Sequence, residues 1–256
     1  MTNERRVLVH PDKQALAGSV AARFITKTLD ILDEHGVANV VLTGGSVGIA
    51  VLAEINGSSA RDTVDWSKVN FWWGDERWVP KAHADRNELQ AREALLNHIE
   101  IPAENIHPFP ASDEGMSLDE AALSYATELE SAAPYDAPLP RFDITFLGVG
   151  PDGHVASLFP HQSGIRETET AVIAVRNSPK PPAERLSLTR PVLNSSERVW
   201  LVLAGSDKAS ALGLALAGAS RDEVPAAGIK GRRRTVFFVD KEAAAEVPEN
   251  LIAPTY

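Results

Sequence analysis

Short runs of β-branched and aromatic residues alternate along this chain with longer stretches of helical periodicity, and that alternation is the strongest constraint on its fold. Repeated strand-helix-strand order builds βαβ units, whose strands pair in parallel. Strands are expected at Val7–Val9, Val40–Leu42, Val69–Trp73, Ile144–Leu147, Val172–Val175, Leu186–Leu188, Val199–Leu203 and Val236–Val239. Several are apolar throughout, as strands covered on both faces are. Helices are expected over Asp12–His35, Val47–Ile55, Glu88–Ile99, Leu118–Ala132 and Lys208–Ala217. Asp85 and Glu88 have capping-box spacing, which predicts a helix start there. Pro134, Pro138 and Pro140 mark a connection before the strand near Asp143, but no low-complexity linker or internal repeat follows. Residues 1–256 therefore read as one α/β domain with a mostly parallel sheet.

The charge balance limits partners. With 25 Lys and Arg against 35 Asp and Glu the net charge is −10. Such a chain has no global field to attract nucleic acid or an anionic membrane, so neither is an expected partner. The basic run Lys230, Arg232, Arg233, Arg234 reads as a solvated turn beside a strand rather than a nucleic-acid patch. Zero cysteine excludes disulfide frameworks, thiol nucleophiles and thiolate metal sites. The start MTNERRVLVH has no apolar stretch of signal-peptide length, and no apolar run approaches a bilayer span, so a cytoplasmic protein is expected.

Ligands of open parallel sheets gather where the carboxyl ends of strands run into loops. Three segments here follow a strand with Gly or charged residues and then a helix start: Leu42–Gly48, Trp73–Arg77 and Leu147–His154. Parallel strands would open all three on one edge. In the first, Thr43, Gly44, Gly45 and Ser46 lie between an apolar strand and a helix, where backbone N–H groups and the helix dipole favour a phosphate. The bland reading is a turn capped by Ser46. In the second, Asp75, Glu76 and Arg77 end a strand among Trp72, Trp73 and Trp78, and the local sequence alone leaves solvated and ligand-facing readings open. In the third, Asp152-Gly153-His154 joins the side chain best suited to proton transfer near neutral pH to a carboxylate able to fix its tautomer. His10, His35, His83, His98, His107 and His161 read as structural residues.

Two cations extend this group. Lys208 follows Gly205-Ser-Asp207 at a helix start, where its charge opposes the helix dipole unless an anion lies between them; the bland alternative is a surface pair with Asp207. Arg185 precedes a strand and could be a further pocket cation or a structural salt-bridge partner.

Competing motifs overlap these loops. Gly44–Gly48 satisfies G-x-S-x-G, the nucleophile elbow, which would make Ser46 a nucleophile with His154 and either Asp143 or Asp152 as partners. The elbow arrives after about two strands, however, with no HGGG-type oxyanion loop before it. Gly148–Gly153 reads G-x-G-x-x-G, but Pro160 interrupts the long helix that a dinucleotide site requires. Asp152, His154 and His161 lack a recognisable metal-ligand spacing.

Taken in order, LTGGS at Leu42–Ser46, WGDERWVP at Trp73–Pro80, LGVGPDGHVASLFP at Leu147–Pro160, PKPPAERLSLT at Pro179–Thr189 and LAGSDKASAL at Leu203–Leu212 closely resemble the 6-phosphogluconolactonase family over nearly the whole chain. The resemblance implies a Rossmann-like α/β fold, with helices on both sheet faces, shared with glucosamine-6-phosphate isomerase/deaminases. It also implies hydrolysis of a sugar-phosphate lactone with no metal or organic cofactor. It makes His154 the general base with Asp152 beside it, puts Arg77 near the lactone, makes Thr43, Gly44, Gly45 and Ser46 the phosphate loop, and adds Lys208; Asp75 and Arg185 are further expected substrate contacts. The deaminase relatives carry an acidic residue in an N-E-P stretch, where this chain has Phe159 before Pro160, which favours the lactonase branch. Val155 stands where typical lactonases have Thr. The alternatives are an isomerase/deaminase, a serine hydrolase using Ser46, and a non-catalytic sugar-phosphate sensor.

Overall fold

The computed structural model describes residues 4–252. In chain order the elements are β1 (Glu4–His10), α1 (Lys13–His35), β2 (Ala38–Leu42), α2 (Gly45–Gly57), β3 (Val69–Trp73), β4 (Asp75–Arg77), α3 (Asn87–Ala94), α4 (Leu118–Ser131), β5 (Ile144–Gly148), β6 (Val172–Val175), β7 (Arg185–Leu188), α5 (Arg190–Asn194), β8 (Arg198–Leu203), α6 (Ala209–Leu216) and β9 (Arg234–Asp240). Six strands form one sheet in the order β1-β9-β8-β5-β2-β3, parallel at every pairing. This is the α/β fold with a mostly parallel sheet that the alternation predicts.

The apolar strands lie in the middle of that sheet and are buried, including Val40, Val41 and Leu42 of β2 and Val199, Leu201 and Val202 of β8. Each fully buried side chain of this size contributes about 1.5–3 kcal/mol relative to exposure. Helix α1 begins where the Asp12 carboxylate accepts the Ala15 N–H at 2.8 Å, and it ends at Gly36, whose φ of 76° supplies the left-handed residue that stops a helix. Its buried residues Leu16, Val20 and Phe24 recur at helical spacing and press one face against the sheet and α2.

Two expectations need correction. The strands at 172–175 and 185–188 do not join the parallel sheet. They form a separate three-stranded antiparallel sheet in the order β4-β7-β6, and its third member is Asp75–Arg77, which the local sequence places at the end of β3. Gly74 separates β3 from β4 and bonds both sheets: its N–H donates to Leu42 O at 3.0 Å and its carbonyl accepts the Leu188 N–H at 2.8 Å.

The capping box expected from Asp85 and Glu88 does not form either, because the cap residue of α3 is Arg86 and no side chain at that position caps the helix. The free N–H groups of α3 are taken instead by Glu76, eleven positions upstream. A true capping box occurs at α4, where Ser117 and Glu120 exchange side-chain-to-backbone hydrogen bonds.

Strand order places one topological switch point between β2 and β5. The chain leaves β2 toward β3 on one side and β5 toward β8 and β9 on the other, so the loops after these two strands diverge and open a crevice. Among the described residues, no helix is long and apolar enough to cross a membrane.

Candidate active site

The crevice at the carboxyl ends of the strands holds a cavity of about 270 Å³. All three loops singled out from the sequence reach it, with Thr43, Gly44 and Gly45 from the loop after β2, Asp75 and Arg77 from β4, and Gly148, Gly150 and His154 from the loop after β5. Lys180, Arg185 and Lys208 complete its cationic wall. The loop after β5 opens no helix, so its G-x-G-x-x-G spacing serves something other than a dinucleotide.

That loop positions a proton-transfer pair. His154 Nδ1 lies 2.5 Å from Asp152 Oδ1, and the backbone N–H of His154 donates to the same oxygen at 3.3 Å. The carboxylate thereby holds the proton on Nδ1 and leaves Nε2 as the basic nitrogen. Partial burial would raise the Asp152 carboxyl, but the hydrogen bond and charge of His154, with a smaller contribution from Lys180, hold it down at about 2. The Phe159 ring packs against the imidazole with centroids 4.7 Å apart. Gly150 makes the arrangement sterically possible, since a Cβ there would lie 2.0 Å from His154 Nδ1.

Arg77 is fixed by the opposite wall. Its Nη1 donates to Asp85 O at 2.9 Å and to Asn87 Oδ1 at 2.5 Å, while its Nε is buried without a hydrogen-bond partner. Asn87 is in turn tied to β4 by a bond from Nδ2 to Asp75 O at 2.9 Å. Both oxygens of Glu76 serve this wall: one accepts the N–H groups of Arg77 at 2.9 Å and Asn87 at 2.7 Å, and the other accepts the Glu88 N–H at 2.9 Å. Burial pushes the Glu76 carboxyl up to about 7, against the opposing pull of the Arg86 guanidinium and the three backbone donors.

The two glycines after β2 have different duties. A Cβ on Gly44 would fall 1.8 Å from Asn87 Oδ1, so its bareness admits that carboxamide rather than a ligand. Gly45 opens α2 at a φ of 83° with open space around its Cα. Thr43 Oγ1 accepts the Gly148 N–H at 3.3 Å and links the two strands that flank the switch point. Ser46 does not cap α2, whose cap residue is Gly44. It lines an adjoining cavity that shares Gly45, Arg77 and Pro181 with the first, and no hydrogen bond joins it to His154. Asp143 is likewise apart from His154 and accepts from Asn39 N and Arg141. The nucleophile-elbow triad is therefore not assembled.

Lys208 pairs with Asp207 at 2.9 Å, as its bland reading expects, and also lines the cavity. Arg185 makes no ion pair among the described residues. It donates to the carbonyls of Lys180, Pro181 and Pro182 and lies over the Phe159 ring at 5.8 Å. Asp75 accepts the Ser157 hydroxyl at 2.7 Å. His161 stands near Asp222 and outside the cavity, and no group of three His, Cys, Asp or Glu side chains among the described residues could hold a metal ion.

Sequence reasoning missed Lys180, Asn87 and Phe159 as site residues. Lys180 lies in the PKPP stretch; burial pushes its ammonium down, and Lys208 and Arg185 add to the push while Asp152 opposes it. A cavity of this size with three cations besides Arg77 and one paired imidazole suits a small anionic substrate that undergoes proton transfer.

Comparison with known proteins defines the class. Residues 11–238 match the family described as glucosamine-6-phosphate isomerases/6-phosphogluconolactonase, and the chain belongs to that family. Within it, the likeness is to lactonases. The chain is 46% identical over 258 residues to the 6-phosphogluconolactonase of Streptomyces coelicolor, with 99% of each chain covered. It is 43% identical over 242 residues to that of Mycobacterium tuberculosis, covering 94% of this chain and 97% of the relative. Among solved structures, 6-phosphogluconolactonase from Trypanosoma brucei superposes with a TM-score of 0.85 at 27% identity, covering 96% of this chain and all of the other.

Proposed function

We propose that this chain hydrolyses 6-phospho-D-glucono-1,5-lactone to 6-phospho-D-gluconate, with His154 as general base. The observation that carries the reading is the short His154–Asp152 pair facing a cavity walled by Arg77, Lys180, Arg185 and Lys208. The names of the relatives supply the substrate class.

In this mechanism Nε2 of His154 takes a proton from water as the water oxygen bonds to C1 of the lactone. The developing oxyanion is met by Arg77, already oriented by Asp85 and Asn87, and by backbone N–H groups at the crevice. The tetrahedral centre collapses, the bond from C1 to the ring oxygen breaks, and His154 returns its proton to that oxygen. The second proton of the water leaves as the new carboxylic acid ionises. Asp152 keeps the imidazole in the productive tautomer throughout. The loop Thr43–Ser46 at the start of α2, with Lys208, holds the remote phosphate, so that binding energy is used to bring C1 and water together. The reaction as written needs no metal or organic cofactor. The same reading assigns the chain to the oxidative pentose phosphate pathway in the cytoplasm.

The test is lactone hydrolysis by the wild type and His154→Ala, with folding checked by circular dichroism. A loss of about 10²- to 10⁴-fold in kcat is expected. Unchanged turnover in the variant, or ammonia release from glucosamine 6-phosphate by the wild type, would overturn the proposal.

A further inference from the structure

The antiparallel sheet sends one of its loops to the crevice. Residues 176–184 join β6 to β7, and the hairpin closes at the cross-strand pair Val175 and Arg185. Pro179, Pro181 and Pro182 stiffen this loop and, having no N–H, leave its carbonyls few donors within it. Arg185 supplies donors from outside. Its Nη2 donates to Lys180 O at 3.2 Å and to Pro181 O at 3.0 Å, and its Nε donates to Pro182 O at 3.2 Å. The guanidinium is buried and lies over the Phe159 ring. Ser178 adds a second hold, since its hydroxyl donates to Lys180 O at 2.8 Å and accepts the Lys180 N–H at 3.2 Å.

These bonds engage the backbone of Lys180 and leave its side chain to the cavity. Among the described residues Lys180 makes no ion pair, whereas Lys208, the other lysine of the lining, is held by Asp207 at 2.9 Å. Burial disfavours the ammonium form of Lys180; Asp152 opposes that push, and Lys208 and Arg185 add to it. The ammonium therefore stands in the field of both the proton-transfer pair and the lysine assigned to the phosphate.

Arg77 and Arg185 are directly opposed on β4 and β7 and so share one face of the small sheet. Each commits donors to a loop, Arg77 to Asp85 O and Arg185 to the three carbonyls of residues 180–182. A guanidinium with its Nε and Nη2 engaged in this way has less to offer a ligand than an ammonium with none of its donors engaged.

Given lactone hydrolysis at this site, on which the assignment rests, we propose that Lys180 is a substrate-binding residue that grips the phosphate beside Lys208, and that Arg185 is a positioning residue acting through the loop that carries Lys180. This departs from the expectation that Arg185 itself contacts the substrate. An ammonium suits the duty because it meets phosphate as a point charge with rotatable donors and needs no fixed fork.

Steady-state kinetics and calorimetric titration with 6-phosphogluconate, on single and double variants checked by thermal melts, test both roles. Lys180→Ala should raise KM about tenfold or more and weaken 6-phosphogluconate by a similar factor, with kcat nearly unchanged. Arg185→Lys keeps the charge but gives up the fork that holds the loop. It should raise KM in the wild-type background and add little to Lys180→Ala. Ser178→Ala, at a residue that lines neither cavity, should behave in the same non-additive way and decides the point if Arg185→Lys does not fold. Unchanged KM and product affinity in Lys180→Ala would overturn the binding role. Effects of Arg185→Lys, or of Ser178→Ala in its place, that add in full to those of Lys180→Ala would overturn the positioning role. Because product binding is read without turnover, a protein that binds 6-phosphogluconate through Lys180 yet hydrolyses no lactone would uphold this assignment while overturning the proposed function.

Discussion

The carboxylate of Glu76 caps a helix to which it does not belong. It accepts the Asn87 backbone N–H at 2.7 Å and the Glu88 N–H at 2.9 Å, closing the first turn of α3 from β4. The same side chain holds the N–H of Arg77, so β4, α3 and the cation between them are one hydrogen-bonded unit. Glu76→Ala leaves three backbone N–H groups without their acceptor and takes one of two carboxylates away from the buried Arg86 guanidinium. A loss of about 1–3 kcal/mol or more is expected in urea denaturation, with a lowered kcat because Arg77 and Asn87 lose their anchor.

The pH dependence of stability separates the two perturbed carboxyls. Glu76 sits at about 7 in the folded state against an ordinary value of 4.5, so the native state binds its proton more tightly. Its contribution is full below about pH 4.5 and is lost as pH rises through 7. Asp152 behaves oppositely, since its folded value of about 2 lies below the ordinary 3.8. Its contribution is present above about pH 4 and is lost as pH falls toward 2. Denaturant midpoints from pH 4.5 to 8 should therefore show a falling component that is absent in Glu76→Gln and retained in Asp152→Asn.

Asp152→Asn is also expected to lower kcat while leaving KM for the lactone nearly unchanged, because it alters the tautomer of His154 rather than the phosphate contacts. The loss should be smaller than that of His154→Ala. Steady-state kinetics on both variants checks the order.

Adjacent glycines should respond differently to one added methyl. Gly44→Ala drives a Cβ into Asn87 Oδ1, the acceptor of Arg77, so activity should drop sharply. Gly45→Ala meets no atom within 4 Å, and its cost is the left-handed backbone alone, about 1–2 kcal/mol in stability. Thermal melts and kcat/KM measured together resolve the two.

The parallel core was legible because β2, β5 and β8 are apolar runs whose burial needs no information from elsewhere in the chain. The three loops that meet at the cavity were legible for the same reason, each following such a run. What stayed hidden depends on distant partners. Asp75–Arg77 is a strand only because β7 pairs with it more than a hundred residues later, and the start of α3 is set by Glu76 rather than by the local pair Asp85 and Glu88. Phe159 counted in the sequence only as an absent carboxylate, yet its ring packs against both His154 and Arg185. Asn87 carries no local signal at all, since its importance arises from the bare Cα of Gly44 beside it.

Gly74 donates to one sheet and accepts from the other, and residues on its two sides belong to different sheets. Sliding one sheet over the other would break both of these hydrogen bonds next to Asp75 and Arg77. The gauge of the crevice is thus fixed when the chain folds, and the proposed substrate would enter a preset socket rather than draw two walls together around itself.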